Sequence, residues 1–484
     1  MPRTRKILLS LLVAALVVGS AGATQALASR SQVTYFEGAA VLLNPSTRPH
    51  ALEQLQHLGV KALRVELNWE SVAPDPASAT APPFEATNPA SYAWGQYAIL
   101  LAEAKSRHWP VLLTVTAPAP RWATSNKKAP YVTRPDPKDY EEFMTAVARE
   151  FGSEVSVYSV WNEPNESVFL MPQWNSNGTP ASGRIYRGLY QAGYAGLNAG
   201  AKDVGLGRPK VLFGETAPAG YETVSPRKEG SSVAMRHPVA PLAFMREALC
   251  LNAKYKKSSS CSELQMSGYA HHAYTLPAGP YYVFPQRDDV SIGSLSRLTK
   301  ALNLAAHAHA IPANVPIYLT EFGVQSKPNK YLGVAPSVQA EYDAISEHIA
   351  YENPRVVAFS QYLLKDDPMG GPEPGASFQT GLEYINGLAK PLYSSWPIPL
   401  TVTKRKHGVA LWGLVRPATG ATKVTVLVEA KHAKRFRTLK TVTTNSLGYW
   451  SFNSSTAGKY WRVRWISPAG VKYEGPPIKA YSGG

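Results

Sequence analysis

Only two of the 484 residues are cysteines, Cys250 and Cys261. So few thiols exclude a scaffold built on disulfides and any zinc or iron–sulfur site that needs several thiolate ligands. The 11 histidines contain no His-Glu-x-x-His sequence, which disfavours a zinc site on a helix. Because the two cysteines are near each other in the chain, they are candidates for a local disulfide in an exported protein.

Sequence signatures of several enzyme classes are missing as well. No Gly-x-Ser-x-Gly appears, so the usual setting of a serine nucleophile is not found. No Gly-x-Gly-x-x-Gly follows the first predicted strand, which argues against dinucleotide binding. We therefore expect neither a cofactor nor a metal ion.

Long apolar runs are confined to the N-terminus. Residues 2–6 are basic, an apolar run follows from Ile7 to Val18, and an Ala-x-Ala-like sequence ends at Ala28. This pattern is typical of a signal peptide over residues 1–28. An uncleaved membrane anchor is the alternative, disfavoured because the apolar run is short for a membrane span. The sequence predicts a secreted protein, extracellular or attached to the cell surface, with no transmembrane segment in the mature chain.

Acidic residues are almost missing from the C-terminal segment 400–484. It contains 15 Lys and Arg but only two acids, Glu429 and Glu474, whereas residues 29–399 contain 32 of each sign. This asymmetry indicates an anionic partner for the last segment, such as a cell-wall polymer or an acidic polysaccharide. A spacer with a solvated basic face is the alternative, and nucleic acid is disfavoured by export. Nothing in the sequence requires an oligomer.

The segment from residue 33 to about 395 alternates apolar strand-like runs with helical periodicity. Such alternation indicates a parallel sheet covered by helices. Eight strands over this length predict an α/β fold, a (β/α)8 TIM barrel spanning residues 29–398, with a doubly wound open sheet as the alternative. The predicted strands are 33–38, 61–68, 110–116, 155–161, 210–215, 266–274, 316–322 and 356–363. The predicted helices are 97–107, 138–151, 184–203, 239–249, 293–310 and 337–351.

The C-terminal segment has a different pattern of apolar and polar residues. Short alternating runs at 422–428, 437–443, 449–452 and 459–465 are separated by turn sequences. They predict a small all-β sandwich of the immunoglobulin or fibronectin type over residues 400–484. The Pro-containing linker before it is short and stiff, so we expect the two domains to pack together.

Polar and acidic residues collect where the predicted barrel strands end. Glu163 follows the fourth strand and Glu321 follows the seventh, which would place two carboxylates across the barrel mouth. Acetal hydrolysis uses such a pair: one carboxyl protonates the leaving oxygen and the other faces the anomeric carbon. A separation of about 5 Å gives retention of configuration, and about 6.5–9.5 Å gives inversion. The site therefore has the composition of a glycosidase.

The two strand-end sequences, Trp-Asn-Glu-Pro at 161–164 and Thr-Glu-Phe-Gly at 320–323, resemble those of the clan A glycoside hydrolases. Families 39 and 5 of this clan have the most similar motifs. The resemblance implies a retaining (β/α)8 enzyme with Glu163 as acid/base and Glu321 as nucleophile. It also implies that Asn162 hydrogen-bonds the substrate 2-hydroxyl group.

Further positions match the same group. His272-Ala273-Tyr274 resembles a His-x-Tyr sequence of the sixth strand, whose tyrosine contacts the nucleophile. Arg64 matches an arginine of the second strand that lies near the nucleophile. One departure is Gln361-Tyr362, because many members carry a tryptophan at the end of the eighth strand.

Three more residues are candidates with a second interpretation. Glu66 and Glu215 are expected either to contact substrate or to support those that do. Trp122 suits stacking on a sugar face, with plain loop packing as the alternative. His271 is expected to point away from the site because it alternates with His272.

Together these observations predict a secreted retaining hydrolase of a β-linked glycan or glycoside. One alternative is a catalytically silent barrel that binds carbohydrate at the cell surface, although both carboxylates are present. Another is a transglycosylase that uses the same residues and excludes water.

Overall fold

The computed structural model describes residues 32–125, 130–258, 260–370 and 377–483. The predicted signal peptide, residues 1–28, lies outside the described residues. Within them, no helix combines the length and the apolar character needed to span a membrane.

The N-terminal part is a closed barrel of eight parallel strands in chain order. Strand β1 pairs with β8 along its whole length, from Val33 opposite Ala358 to Glu37 opposite Tyr362. This closure confirms the (β/α)8 prediction and excludes the open sheet. The strands, all eight at the predicted places, are β1 Val33–Glu37, β2 Leu63–Asn68, β3 Val111–Thr116, β4 Val155–Val160, β5 Val211–Thr216, β6 Gly268–His272, β7 Ile317–Glu321 and β8 Val356–Tyr362.

Helices cover the outside of the barrel, and the six predicted ones are present. In chain order the described α-helices are α1 Ala39–Leu42, α2 Arg48–Leu58, α3 Trp69–Val72, α4 Gly95–Ser106, α5 Pro137–Phe151, α6 Ser182–Asp203, α7 Pro226–Glu229, α8 Ser231–Ala234, α9 Pro241–Ala248, α10 Leu295–His307, α11 Pro336–Glu352 and α12 Pro391–Ser395. Short 3-10 helices lie at Pro89–Ser91, Arg121–Ala123 and Ile292–Ser294. Cys250, just after α9, forms a disulfide with Cys261.

Helix α5 illustrates how local sequence sets these boundaries. The Asp136 side chain accepts hydrogen bonds from the backbone N–H groups of Lys138 and Asp139, and Pro137 occupies the first helical position. Both features favour a helix start. The apolar side of the helix, including Tyr140 and Phe143, is buried against the barrel. The helix is therefore specified by its cap and by its periodicity together.

The inside of the barrel is layered because successive strand residues alternate between inside and outside. The lower layer is mainly apolar and consists of Tyr35, Ala62, Leu112, Val157, Leu212, Ala270, Tyr318 and Ala358. Two residues further along the strands, the interior positions become polar, as at Glu37, Arg64 and His272. The apolar layer closes the barrel below, and the polar layer forms the floor of a site at the C-terminal ends of the strands.

The C-terminal part consists of two antiparallel sheets, as predicted for a β-sandwich. One has the order β13–β10–β9 and the other β12–β11–β14–β15. Valine and tryptophan side chains of both sheets form a common core. The strands are β9 Leu400–Arg405, β10 Gly408–Leu414, β11 Lys423–Glu429, β12 Arg437–Thr443, β13 Tyr449–Ser454, β14 Tyr460–Ile466 and β15 Lys472–Glu474. Strands β9, β10 and β15 add to the four predicted runs.

The sandwich packs tightly against the bottom and side of the barrel. Trp412 stacks on His348 of α11 with ring centroids 4.6 Å apart. Arg416 is buried, lies 4.1 Å from the Trp396 ring centroid and donates to Glu347 Oε2 at 2.6 Å. Gly59, with φ of +86°, leaves no room for a side chain, because a Cβ there would lie 2.5 Å from the backbone nitrogen of Pro417. The close domain contact agrees with the short linker.

Candidate active site

Arg64 lies at the centre of the barrel mouth with its guanidinium buried. Five side chains surround the guanidinium and accept hydrogen bonds from its N–H groups. One is on the same strand, and the others lie at the ends of other strands. These partners are Glu37, Glu66 Oε1 at 3.0 Å, Asn162 Oδ1 at 2.9 Å, Glu215 Oε2 at 2.9 Å and Glu321 Oε2 at 3.2 Å. A guanidinium has a planar set of donors, so it fixes these groups relative to one another. The expected proximity of Arg64 to Glu321 is thus present in the structure.

Glu321, the last residue of β7, is held by both of its oxygens. The Tyr274 hydroxyl donates to Oε1 at 2.5 Å, while Arg64 donates to Oε2 at 3.2 Å. Burial raises the pKa of Glu321, and the neighbouring His272 and Arg64 act in the opposite direction. The carboxylate is therefore fixed in orientation, with donors that favour its ionised form.

Glu163 follows β4 in a strained turn. Its φ is +36° and that of Trp161 is +67°, values in the left-handed region that residues with side chains rarely occupy. Its side chain is 19% exposed and lies beside His272 at the barrel mouth. Burial raises the pKa of Glu163 to about 7, an effect that Arg64 opposes and Glu215 reinforces. Near neutral pH this carboxyl is available as a proton donor.

His272 joins the two carboxyl groups. Its Nδ1 lies 2.8 Å from Glu163 Oε1 and 3.8 Å from Glu321 Oε2. Burial lowers the pKa of His272, which favours the neutral ring. Among the described residues, an oxygen of Glu163, an oxygen of Glu321 and a ring nitrogen of His272 all lie within 4.8 Å of one another. The two carboxylates predicted to face each other are therefore close neighbours.

Asn162 and Glu215 hold the guanidinium from the side of β4 and β5. The Asn162 backbone N–H donates to Thr116 Oγ1 at 2.9 Å. This hydrogen bond fixes the backbone of Asn162, whose side chain points toward Arg64. Glu215 is fully buried, and Thr114 Oγ1 donates to its Oε1 at 2.9 Å. These contacts place Glu215 behind Arg64, and its contact with substrate stays a prediction.

Trp122 and His271 lie outside the carboxylate cluster. Trp122 is partly buried, packs edge-on against Trp69 with centroids 6.0 Å apart, and donates its indole N–H to Pro74 O at 3.1 Å. These contacts belong to the packing between the loops after β2 and β3, and sugar stacking by Trp122 stays a prediction. His271 points away from the site, as expected, and its Nδ1 lies 2.9 Å from Thr216 Oγ1.

Sequence reasoning missed two parts of this site. Glu37, the last residue of β1, contacts Arg64 and could have been found, because it shares the inward alternation of Tyr35. Phe378 lies after β8 and forms an aromatic wall with Tyr362 at 5.0 Å and Tyr274 at 5.9 Å between centroids. No periodic signal marks Phe378, since it belongs to an irregular loop.

The cluster around Arg64 contains more carboxyl groups than cations. Arg64 is the cation that contacts four carboxyl groups, those of Glu37, Glu66, Glu215 and Glu321. Burial also raises the pKa of Glu37 and of Glu66. In the described part of the chain the two groups with metal-ligating geometry, Glu163–His272–Glu321 and Glu37–Glu66–Glu321, share Glu321 and so adjoin Arg64. A divalent ion there would be repelled by the guanidinium, which already neutralises part of the cluster.

Two solved structures are similar to this chain over most of its length. One is a family 39 glycoside hydrolase from the gut symbiont Bacteroides cellulosilyticus WH2, with 14% sequence identity, coverage of 89% of this chain and 80% of that chain, and a TM-score of 0.50. The other is a family 39 glycoside hydrolase from Xanthomonas axonopodis pv. citri, with 14% identity, coverage of 88% and 92%, and a TM-score of 0.50. No protein-family model and no curated protein matches the chain. At this identity the likeness shows that the fold is shared.

Proposed function

We propose that the protein is a retaining glycoside hydrolase that cleaves a β-linked glycan or glycoside by double displacement. The observation that supports it most is the position of two inward carboxyl groups at the C-terminal ends of β4 and β7, with oxygens of Glu163 and Glu321 within 4.8 Å. Carboxyl groups about 5–5.5 Å apart suit a covalent intermediate, whereas an inverting enzyme needs room for a water between them. The similarity in fold to two family 39 glycoside hydrolases agrees with this activity.

In the first step Glu321 attacks the anomeric carbon, and Glu163 gives its proton to the departing oxygen. Tyr274 and Arg64 hold Glu321 in position and stabilise its charge before attack. The raised pKa of Glu163, about 7, keeps a proton on the acid while Glu321 is ionised. The bond from carbon to the leaving oxygen breaks as the ester to Glu321 forms.

In the second step Glu163, now ionised, takes a proton from a water molecule that attacks the same carbon. The bond to Glu321 breaks and the sugar leaves with its original configuration. The neutral ring of His272, 2.8 Å from Glu163, keeps this carboxyl near the reaction centre in both steps. Asn162, fixed by Arg64, is placed to contact the sugar beside the nucleophile.

Incubation with a panel of 2-deoxy-2-fluoro glycosides that carry a good leaving group tests the proposal, because the fluorine slows both steps and the leaving group restores the rate of the first, so that the intermediate accumulates. A stable mass adduct on Glu321, absent in the Glu321→Gln variant, is expected. An adduct on another carboxylate would reassign the nucleophile. Polysaccharide binding without adduct or turnover would favour the silent barrel instead.

The transglycosylase alternative uses the same first step and differs in the acceptor of the second. Product analysis with an added alcohol or oligosaccharide acceptor separates the two, since a transglycosylase gives transfer products in preference to free sugar. We also propose that the protein is secreted, because its N-terminal sequence has the pattern of a signal peptide.

A further inference from the structure

We propose that the outer face of the four-stranded sheet of the sandwich binds an anionic polysaccharide that carries carboxylate groups. This surface, the basic sheet face, is defined by Lys423, Thr425, Thr441, Arg462, Arg464 and Lys472. It lies in the C-terminal domain, away from the carboxylate cluster of the barrel, and the inference is independent of the proposed hydrolase activity.

Strand alternation directs these side chains outward. Val424 and Val426 of β11, with Val463 and Trp465 of β14, are buried in the core between the two sheets. Successive side chains of a strand point to opposite faces, so their neighbours Lys423, Thr425, Arg462 and Arg464 lie on the other side. The basic residues of β11, β14 and β15 are thus gathered on one surface, whereas Lys440 of β12 pairs with Val426 and lies over Phe452 of the other sheet.

The pairing of the strands arranges this surface in rows. Thr425 pairs with Thr441 on one side and with Arg464 on the other, and Arg464 pairs with Glu474. Neighbouring strands are about 4.8 Å apart, which brings the hydroxyl groups of the threonines beside the guanidinium. The row therefore offers hydroxyl and cationic groups side by side on one surface.

The face keeps an excess of positive charge. Glu474 accepts hydrogen bonds from Arg462 at 2.7 Å and from Arg464 at 2.5 Å, and Lys472 lies 3.2 Å from it. Glu474 thus faces three cations and the exposed Lys423 adds a fourth, while Glu429, at the far end of β11 on the same face, lies 3.9 Å from Lys459. The contact with Glu474 also shows that these guanidinium groups present donors to a carboxylate at this surface.

This face remains open to solvent, unlike that of the other sheet. Trp412 and Tyr449 of the three-stranded sheet are covered by His348 and Tyr351 of the barrel. By contrast, the side chains of Arg464 and Lys472 are 39% and 56% exposed. An extended polymer can therefore reach the basic sheet face in the complete protein.

The chemistry of the face favours an acidic polysaccharide. Arginine donors match carboxylates, and threonine hydroxyls match the hydroxyl groups of sugars. An acidic polymer would attract all four cations at once, and each exposed contact would contribute modestly. Such binding would hold the attached barrel at a glycan surface.

Binding of the full-length protein to polygalacturonate, with uncharged dextran as the reference polymer, tests the inference. We expect binding at low ionic strength that weakens as salt is added, and none to dextran. The double variant Lys423→Gln/Lys472→Gln should bind about fivefold more weakly, as expected for the loss of two exposed contacts. A triple variant, Arg462→Gln/Arg464→Gln/Glu474→Gln, removes the guanidinium groups together with their internal partner, a net loss of one positive charge, and should also weaken binding.

A matched control separates a specific face from general positive charge. Lys202→Gln/Lys300→Gln removes the same charge from exposed positions of the barrel and should leave binding unchanged. An equal loss of affinity for polygalacturonate in the two double variants, or no binding of the wild-type protein to this polymer, would overturn the inference. Tighter binding to DNA or polyphosphate would overturn it in favour of a phosphate-bearing partner. The assay needs no turnover, so Glu321→Gln should bind normally even if the proposed hydrolase activity fails.

Discussion

The Nδ1 atom of His272 lies 2.8 Å from Oε1 of Glu163, and burial raises the pKa of that carboxyl to about 7. The same ring nitrogen is 3.8 Å from Glu321. A buried imidazole, whose pKa is lowered by burial, therefore stands between the two carboxyl groups of the proposed reaction. The protonation states of Glu163 and Glu321 decide at which pH the site can carry out the proposed reaction.

The rate should depend on pH through these two groups. Activity needs protonated Glu163, so kcat/KM should fall as pH rises through its pKa of about 7. It also needs ionised Glu321, so kcat/KM should fall at low pH, at a pKa raised above the ordinary range by burial. A pH–rate profile measures both limbs. Glu163→Gln, assayed with a dinitrophenyl glycoside that needs no acid, should lose the alkaline limb, and a wild-type profile flat through neutral pH would contradict this.

Tyr274→Phe removes the hydroxyl that donates to Glu321 Oε1. A hydrogen bond to a charged group contributes about 1.5–3 kcal/mol, so kcat/KM should fall by about 10-fold to 100-fold. The acidic limb of the pH profile should move to higher pH, because the ionised form of Glu321 loses a donor. Tyr269→Phe, in strand β6 just before Tyr274 but facing away from the site, is the control and should keep its activity. Equal activity in the two variants would remove Tyr274 from the site.

Arg64→Met removes the cation that contacts Glu37, Glu215 and Glu321. Breaking a buried ion pair costs about 3–5 kcal/mol, so the free energy of unfolding should drop by this amount near neutral pH. Buried carboxyls without the guanidinium have pKa values above those of the unfolded chain. The variant should therefore regain stability as pH falls and lose it as pH rises.

Urea unfolding at several pH values measures this effect. Arg149→Met, which breaks an exposed pair with Asp203, is the control and should cost less than about 1 kcal/mol. If the two variants lost the same small amount of stability, Arg64 would not be the organising cation of the site.

Arg416→Met should loosen the contact between the domains. Arg416 donates to Glu347 and to the Trp396 carbonyl and is buried between sandwich and barrel, so its loss leaves Glu347 buried without that partner. We expect a loss of about 3–5 kcal/mol in unfolding free energy and faster proteolysis near the linker. Arg405→Met, an exposed cation of the same sandwich, should change neither quantity. Unchanged proteolysis in Arg416→Met would mean that other contacts hold the domains.

The barrel mouth should discriminate against acidic sugars. Glu66, with 24% of its side chain exposed, and the ionised Glu321 would both face a carboxylate on a bound sugar. Like charges at this range repel strongly, so uronides should react at least about tenfold more slowly than the matching neutral glycosides. Glu66→Gln should reduce the difference in rate between uronides and neutral glycosides, while Glu85→Gln, at an exposed position, should leave that difference unchanged. Preferred cleavage of uronides by the wild-type protein would contradict this prediction.

Much of the fold could be predicted because it depends on local patterns. Each barrel strand is a short apolar run flanked by helical segments, and the strand-end position of Glu163 or Glu321 can be counted directly along the chain. The four strand runs predicted after residue 421 were also found, since alternation and turn residues mark them. Strand β9 was missed because it begins at Leu400, directly after the linker, without a turn sequence between barrel and sandwich, and β10 and β15 were missed as well.

Local sequence patterns set the order of the elements and the presence of two carboxyl groups at strand ends, because periodicity and strand length are local properties. Tertiary packing set the closure of the sheet, the sharing of Arg64 by Glu37 and Glu215, the contact of Phe378 with Tyr274, and the common open face of the basic residues of β11 and β14. Each of these relationships joins segments far apart in the chain, through strand register and packing that no single stretch of sequence encodes.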